Sequence, residues 1–386
     1  RAVCLCCSDA GENLRSRLQQ LQSRFTWDLK KEDLELDDLS NQLQHDIDLG
    51  LGQRGTVAHA YSYLAYIRYL QDQPEEAVSL LNQTEEKTRE CFGEESERRL
   101  IVTYGDLAWL KYHTGDYQQS QAYCQRVNDI LVKYPVDSST DLHPDVYGEK
   151  GWTFLKLSKS FYPRAIECFR KALELQPDNW EWNNGYAITL YRTELDRLDD
   201  SIDLLKRVLR RSSQSAFIHH QLAMCYMRKK INLFSINPRP ERDVQYWRRL
   251  SIYHLEEALR LKSTLNCLKA SLALQYAEDK DRRRCSLSRA QEMFDDVLEK
   301  LEDEPASIRQ SVYCYYAEFC HYHTIQKDLA VTYYTKGLEF STKTSDGRFC
   351  IKKLMQMAER RLTNSPKDAK AHGILGGSRV TERGIL

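Results

Sequence analysis

The sequence predicts an all-α fold, a superhelical solenoid of helix-turn-helix repeats, and three observations carry that prediction. The 386 residues include only 9 Pro and 16 Gly, and long stretches are dominated by Leu, Ala, Glu, Lys, Arg and Gln, the better helix formers. A similar unit recurs along the chain. Length alone suggests roughly two or three ordinary domains, but an array of repeats reaches this size as one quasi-continuous structure.

The clearest unit spans residues 151–177, GWTFLKLSKSFYPRAIECFRKALELQP, with Tyr162, Ala165, Phe169, Ala172 and Pro177 at the second-helix offsets of a tetratricopeptide repeat. The small Ala165 and Ala172 let two antiparallel helices approach, Phe169 fills the gap between them, and Pro177 stops the helix because it lacks an amide donor. Weaker copies flank it. Small first-helix residues recur as Ala65, Ala108, Thr153, Ala187, Ala223, Ala273 and Ala317. Their second-helix partners are Ala77 with Leu81, Cys124 after Gly115-Asp116-Tyr117, Ser201 with Leu205, Ser251 with Leu255 and Ala258, Ala290 with Phe294, and Ala330 with Tyr334. That makes about seven repeats.

In chain order, residues 1–11 read as a disordered extension, and their apolar start is too short for a signal-peptide core. Residues 12–56 read as an N-terminal helical cap, with Asp33 and Asp37 as candidate capping residues. Residues 57–211 carry the N-terminal tetratricopeptide repeats. Residues 212–363 carry the C-terminal ones, interrupted at 229–245 by a basic insertion read as a long loop or a helix extension with a loop. Residues 364–386 read as a truncated last repeat and tail, whose helix has no partner and whose final stretch is poorly ordered. No apolar run reaches the ~18 residues of a spanning helix, and mean hydropathy is -0.63, so no membrane association is expected. The 12 cysteines, mostly single within helical patterns, read as reduced and largely buried thiols of a cytoplasmic protein.

No catalytic constellation emerges: there is no phosphate-cradling GxxxxGK[ST], no GxGxxG after a strand, no GxSxG and no HExxH. His321 and His323, two residues apart on a helix, point to different faces and cannot share an ion. The expectation is a non-enzyme without metal or cofactor. Charge is more informative. The 56 basic and 56 acidic side chains cancel overall, but residues 1–100 hold 12 Lys/Arg against 19 Asp/Glu, while residues 206–284 hold 18 against 7. A basic face on a solenoid suits an anionic ligand such as RNA phosphates; a solvated basic face is the plain alternative. The 23 Tyr and 6 Trp supply rings on which bases stack, although Tyr61, Tyr104, Tyr117 and Tyr334 stand at packing offsets. Trp152 and Lys156, four apart on one first helix, face the same way, and Arg192 falls on the first helix of the next repeat.

The segments Phe25-Thr26-Trp27-Asp28-Leu29, Leu64-Ala65-Tyr66-Ile67-Arg68-Tyr69-Leu70, Glu149-Lys150-Gly151-Trp152, Gly185-Tyr186-Ala187-Ile188-Thr189-Leu190-Tyr191-Arg192 and His219-His220-Gln221 resemble the interferon-induced proteins with tetratricopeptide repeats. That resemblance implies a cytoplasmic antiviral effector holding the 5′ end of foreign single-stranded RNA, a triphosphate or an incompletely methylated cap, and sequestering it. Other family members would be further partners, and no DNA is expected. It also implies roles. Gln42 would face the first nucleotides, Trp152 would stack on or border the cap guanine, and Lys156, Tyr162 and Arg192 would grip the terminal phosphates. His220 and Gln221 would contact nucleotides further along. Tyr162 equally fits the packing position of its repeat. The alternative function is an ordinary tetratricopeptide scaffold for protein partners.

Two features depart from the family pattern. Asp38, four residues before Gln42, places an anion where the family has a polar or basic residue. Beyond Arg192-Thr193-Glu194 the chain passes directly into a helix resembling a later part of the family, so about two repeats of ~34 residues each are missing, and an unfamiliar helix register near residues 193–200 is one expected consequence.

Overall fold

The computed structural model describes residues 5–48, 55–136, 142–193, 197–211, 215–236, 241–279, 283–340, 342 and 344–383. Among these the regular structure is helical, α-helices joined by turns and short 3-10 segments, with no strand. The chain divides into two compact units, Arg1–Ser213 and Gln214–Leu386.

Unit 1 runs α1 (Leu5–Gln20), α2 (Leu36–Asp48), α3 (Thr56–Leu70), α4 (Pro74–Phe92), α5 (Ser96–Arg99), α6 (Ile101–His113), α7 (Tyr117–Lys133), α8 (Pro144–Leu157), α9 (Tyr162–Leu175), α10 (Trp180–Thr193) and α11 (Leu198–Arg211). Neighbours pair as α3/α4, α6/α7, α8/α9 and α10/α11. Each pair closes over its small residues: Ala65, Ala108, Thr153 and Ala187 on the first helices and Ala77, Ser120, Ala165 and Ser201 on the second are fully buried. Local signals set the boundaries. Pro74 and Pro144 occupy first helical positions, where a missing amide costs nothing. Gly115 takes φ +82 in the turn between α6 and α7, and the Asp116 carboxylate then accepts from the Gln119 amide to cap α7.

Phe169 of α9 is the wedge its offset predicts. It has no exposed surface and lies against Gly151 of α8 and Gly185 of α10, where an added Cβ would stand 2.9 and 2.3 Å from its ring carbons. Burying such a ring contributes about 1.5–3 kcal/mol. The pairing of α10 with α11 keeps an ordinary register: Ser201 Oγ donates to the Ala187 carbonyl at 2.9 Å, as Ser120 Oγ donates to that of Ala108 at 2.8 Å in α6/α7.

Unit 2 runs α12 (Ala216–Ile236), α13 (Glu241–Leu261), α14 (Asn266–Glu278), α15 (Arg283–Glu299), α16 (Ala306–His323), α17 (Lys327–Leu338), α18 (Ser345–Asn364) and α19 (Ala369–Arg383). Its core gathers Ala223, Leu255, Ala258, Ala273, Ala290, Phe294, Ala317, Ala330 and Tyr334, the positions the repeat frame marks. The described cysteines are free thiols, most of them buried.

Three expectations change, and of the two readings of residues 229–245 the helix extension is the one found. Helix α1 begins at Leu5, inside the stretch expected to be disordered, because Leu14 and Leu18 dock on Ala108, Trp109 and Cys124 and helix propagates cheaply from an anchored turn. Asp33 and Asp37 are not helix caps. Asp33 ends a 3-10 turn, and Asp37 sits within the first turn of α2, where its charge suits the positive helix end and its carboxylate accepts from Gln71 Nε2 at 2.9 Å. The 229–245 insertion is mostly helix: α12 and α13 both extend to 21 residues, and only residues 237–240 between them lie outside the described residues. The last helix is not solitary, since α19 packs on α18 through Ala371 and Leu375 against Ala358. The final stretch expected to be poorly ordered is therefore helix from Ala369 to Arg383, and residues 384–386 fall outside the described residues.

Candidate nucleic-acid interface

Lys156 lies in the last turn of α8, one turn beyond Trp152, and Arg192 lies in the last turn of α10, where cations suit the negative helix end. Their charges meet. The Lys156 ammonium is held below its usual range by desolvation; Asp46 of α2, with Oδ2 3.9 Å from Nζ, pulls the other way, and Arg192 lowers it further. Arg192 Nη1 donates to the Tyr162 hydroxyl at 3.3 Å, and its guanidinium carbon stands 5.9 Å from the Tyr162 ring centroid. Tyr162 itself is buried. It therefore does the packing its offset requires while its hydroxyl positions Arg192, and Lys156 and Arg192 remain exposed.

Trp152 is half-buried and packs edge to face on Phe169, with centroids 5.5 Å apart and planes at 84°. Its indole Nε1 is buried and has no hydrogen-bond partner. Gln42 is exposed on α2, one turn before Asp46. Among the described side chains of α2, Asp46 acts on the Lys156 charge. Asp38 is exposed and lies eight residues before it, about 12 Å along the helix axis, so the anion at this site is Asp46 and not Asp38. Pattern matching missed Asp46 because Gln42 and Asp46 share a helix face and differ by one turn.

The same unit holds a buried ionic network that pattern matching also missed. Arg24, with no exposed side chain, bonds Asp106 through Nη1 at 2.5 Å, Ser62 Oγ through Nη2 at 2.9 Å, and Glu149. Asp106 Oδ1 also accepts from Ser23 Oγ at 2.7 Å and the Arg24 amide at 2.8 Å. His59 bridges Glu149 through Nδ1 at 2.8 Å and Glu181 through Nε2 at 3.0 Å, and Arg99 Nη1 meets the other Glu181 oxygen at 2.9 Å. Burial disfavours the His59 charge, but Glu149 and Glu181 outweigh it and push its pKa up to about 10. Burial likewise disfavours the Glu149 carboxylate, which His59 and Arg24 nevertheless hold down at about 2. The sequence carries a signal for this network: Asp106 interrupts the apolar run Ile101-Val102-Thr103-Tyr104-Gly105-Asp106-Leu107-Ala108-Trp109-Leu110, and a buried charge requires a partner.

In unit 2, His220 and Gln221 are half-buried in the second turn of α12. Burial pushes the His220 pKa down to about 4, so at neutral pH its imidazole is an uncharged hydrogen-bonding group. The preceding His219 is buried, with Nδ1 2.9 Å from Nδ1 of His254. Not all of the basic excess over residues 206–284 faces solvent. Lys230 and Arg248 are buried and converge on Glu278, Arg248 Nη2 at 3.3 Å. Of the tyrosines read as packing residues, Tyr104 and Tyr334 are buried, whereas Tyr117 is exposed and lies on Tyr112. Among the described residues no group of three or more His, Cys, Asp or Glu side chains is placed to hold a metal ion, and no helix is long and apolar enough to cross a membrane.

Known proteins match this chain over most of its length. A tetratricopeptide repeat family profile matches residues 150–216. Protein IFIT1 homolog B of Homo sapiens is 27% identical over 448 aligned positions, covering 95% of this chain and 92% of the relative. The antiviral innate immune response effector IFIT1 of Homo sapiens is 24% identical, covering 94% and 91%. Interferon-induced protein with tetratricopeptide repeats 3 of Mus musculus is 33% identical over 56% of this chain and 53% of its own length. Among solved structures, that of the human IFIT1 dimer with m7Gppp-AAAA matches at 23% identity and a TM-score of 0.41, covering 96% of each chain. The alignment with the IFIT1 homolog is longer than this chain's 386 residues, as internally missing repeats require. The relatives that match over most of this chain, at 24–27% identity, are interferon-induced proteins with tetratricopeptide repeats and their homologues, and it is these that the chain resembles.

Proposed function

We propose that this chain is a cytoplasmic antiviral effector that binds the 5′ end of foreign single-stranded RNA, triphosphate or incompletely methylated cap, and sequesters it without catalysis. The observation that carries the reading is the convergence of Lys156 and Arg192, from two successive first helices, beside the Trp152 ring. Two exposed cations suit the phosphates, Arg192 for planar bidentate contact and Lys156 as a point charge. Trp152, half-buried, offers ring surface to a base. Tyr162 holds Arg192 in place. Gln42 is assigned to the first nucleotides, and His220 and Gln221 to nucleotides further along the strand, all three as uncharged hydrogen-bonding groups. The names of the relatives, an antiviral effector and interferon-induced proteins, support the biological role.

The test is a titration of triphosphate, capped and hydroxyl-ended versions of one short RNA at two salt concentrations, with the wild type and a Lys156→Ala, Arg192→Ala double variant. Binding that favours the phosphorylated ends and collapses in the double variant is the expected result. Equal weak binding of all three ends would leave a protein scaffold as the better reading.

A further inference from the structure

The cationic pair carries its own counter-ion. Asp46 reaches from α2 to within 3.9 Å of the Lys156 ammonium, and it is about three-quarters buried, with 24% of its side chain exposed. A phosphate seated on Lys156 and Arg192 would therefore meet a fixed negative charge next to its binding cation. At that separation the carboxylate is felt by any anion that the ammonium takes, and charge-charge terms strengthen as the separation and the local dielectric fall.

We propose that Asp46 is a specificity-determining residue which disfavours the free 5′-triphosphate and shifts the preference of the site toward 5′ ends whose terminal phosphate is blocked, as in a cap. The inference rests on the 5′-end reading given above. Its chemistry is simple. The outermost phosphate of a free triphosphate has an additional ionisation with a pKa of about 6, so at neutral pH it carries an extra negative charge. Capping esterifies that oxygen and removes the ionisation. With Asp46 ionised, the trio of Lys156, Arg192 and Asp46 offers one net positive charge, enough for a singly charged bridging phosphate and poorly matched to a dianion. Asp46 also holds Lys156 in place when the site is empty, so a ligand must displace Asp46 or share the ammonium with it.

Asp46→Asn keeps the shape and removes the charge, whereas Asp46→Glu keeps the charge. Equilibrium binding of triphosphate, capped and hydroxyl-ended forms of one RNA is measured for the wild type and both variants. Asp46→Asn is expected to tighten triphosphate binding about tenfold, consistent with one unit charge at close range in a partly solvated site, and capped binding by no more than about threefold. Asp46→Glu is expected to keep the wild-type ratio. If the wild type distinguishes the three ends and Asp46→Asn leaves the triphosphate-to-cap ratio unchanged, or lowers triphosphate binding, the inference is overturned while the 5′-end reading stands. If neither protein distinguishes any end, both fall together. Thermal melting of each variant identifies loss of folding, and a misfolded Asp46→Asn is replaced by Asp46→Ser, with the same ratio as readout.

Discussion

Arg24 has no exposed side-chain surface and still keeps its charge, because Asp106 and Glu149 face it directly and Ser62 accepts from it. Removing one member of such a buried set costs far more than the set contributes as a whole, since the remaining charges lose their partners. Arg24→Met is therefore expected to lower unfolding free energy by about 3–5 kcal/mol, measured by urea denaturation. His59 and Glu149 give the same network a pH signature. The His59 pKa rises from 6.5 to about 10, so its contribution is complete below 6.5 and is lost as pH climbs toward 10. The Glu149 pKa falls from 4.5 to about 2, so its contribution is complete above 4.5 and is lost as pH drops toward 2. From these two groups, melting temperature should plateau between 4.5 and 6.5, and His59→Gln should flatten the alkaline limb. The amplitude of that limb is on the order of a few kcal/mol. A melting curve with no slope above pH 7 in the wild type would refute the assignment.

At the scale of the helix, Phe169 ties α8, α9 and α10 together, pressed against Gly151 and Gly185. Gly185→Ala would set a methyl 2.3 Å from the Phe169 ring and should cost about 1–3 kcal/mol. Adding Phe169→Leu should recover part of that loss, a coupling of at least about 0.5 kcal/mol in a double-mutant cycle; strictly additive effects would show that the two positions do not share the space. This level of organisation is legible in the sequence because small residues repeat where helices touch: Ala65, Ala108, Ala187, Ala223, Ala273 and Ala317 are all buried. Residues 229–245 are harder to read. Pro238 and Pro240 in that stretch signal a break without saying how far helix runs on either side, and α12 and α13 flank it closely. On α2, neither Gln42 nor Asp46 is distinguished by pattern, since both lie on one face; the partner Lys156, over a hundred residues away in sequence, separates them.

For the molecule as a whole, neutrality conceals uneven charge, and segment sums reveal the unevenness without its orientation. Lys230 and Arg248 count toward the basic excess yet are occupied internally by Glu278, because a sum over a segment cannot tell inward cations from outward ones. RNA binding should accordingly depend on few phosphates. The logarithmic salt slope for a single strand becomes shallower by about 0.7 for each phosphate that is no longer neutralised, so the Lys156→Ala, Arg192→Ala protein should show a slope shallower than wild type by roughly 1.4. An unchanged slope would place the phosphates elsewhere.

The Arg24 network has a further consequence, for synthesis. In a repeat array each unit ordinarily needs only its neighbours, and folding spreads from one to the next. Here Ser23 and Arg24 are matched to Asp106, Arg24 to Glu149, and His59 to Glu181. A ribosome releasing this chain at about 5–20 residues per second delivers the first of these charges many seconds before the last. Until Glu181 emerges, His59 and Arg99 lack the carboxylate they share, so α3 to α10 should lock as one late cooperative event, and the unfinished array is the state in which a chaperone would find it.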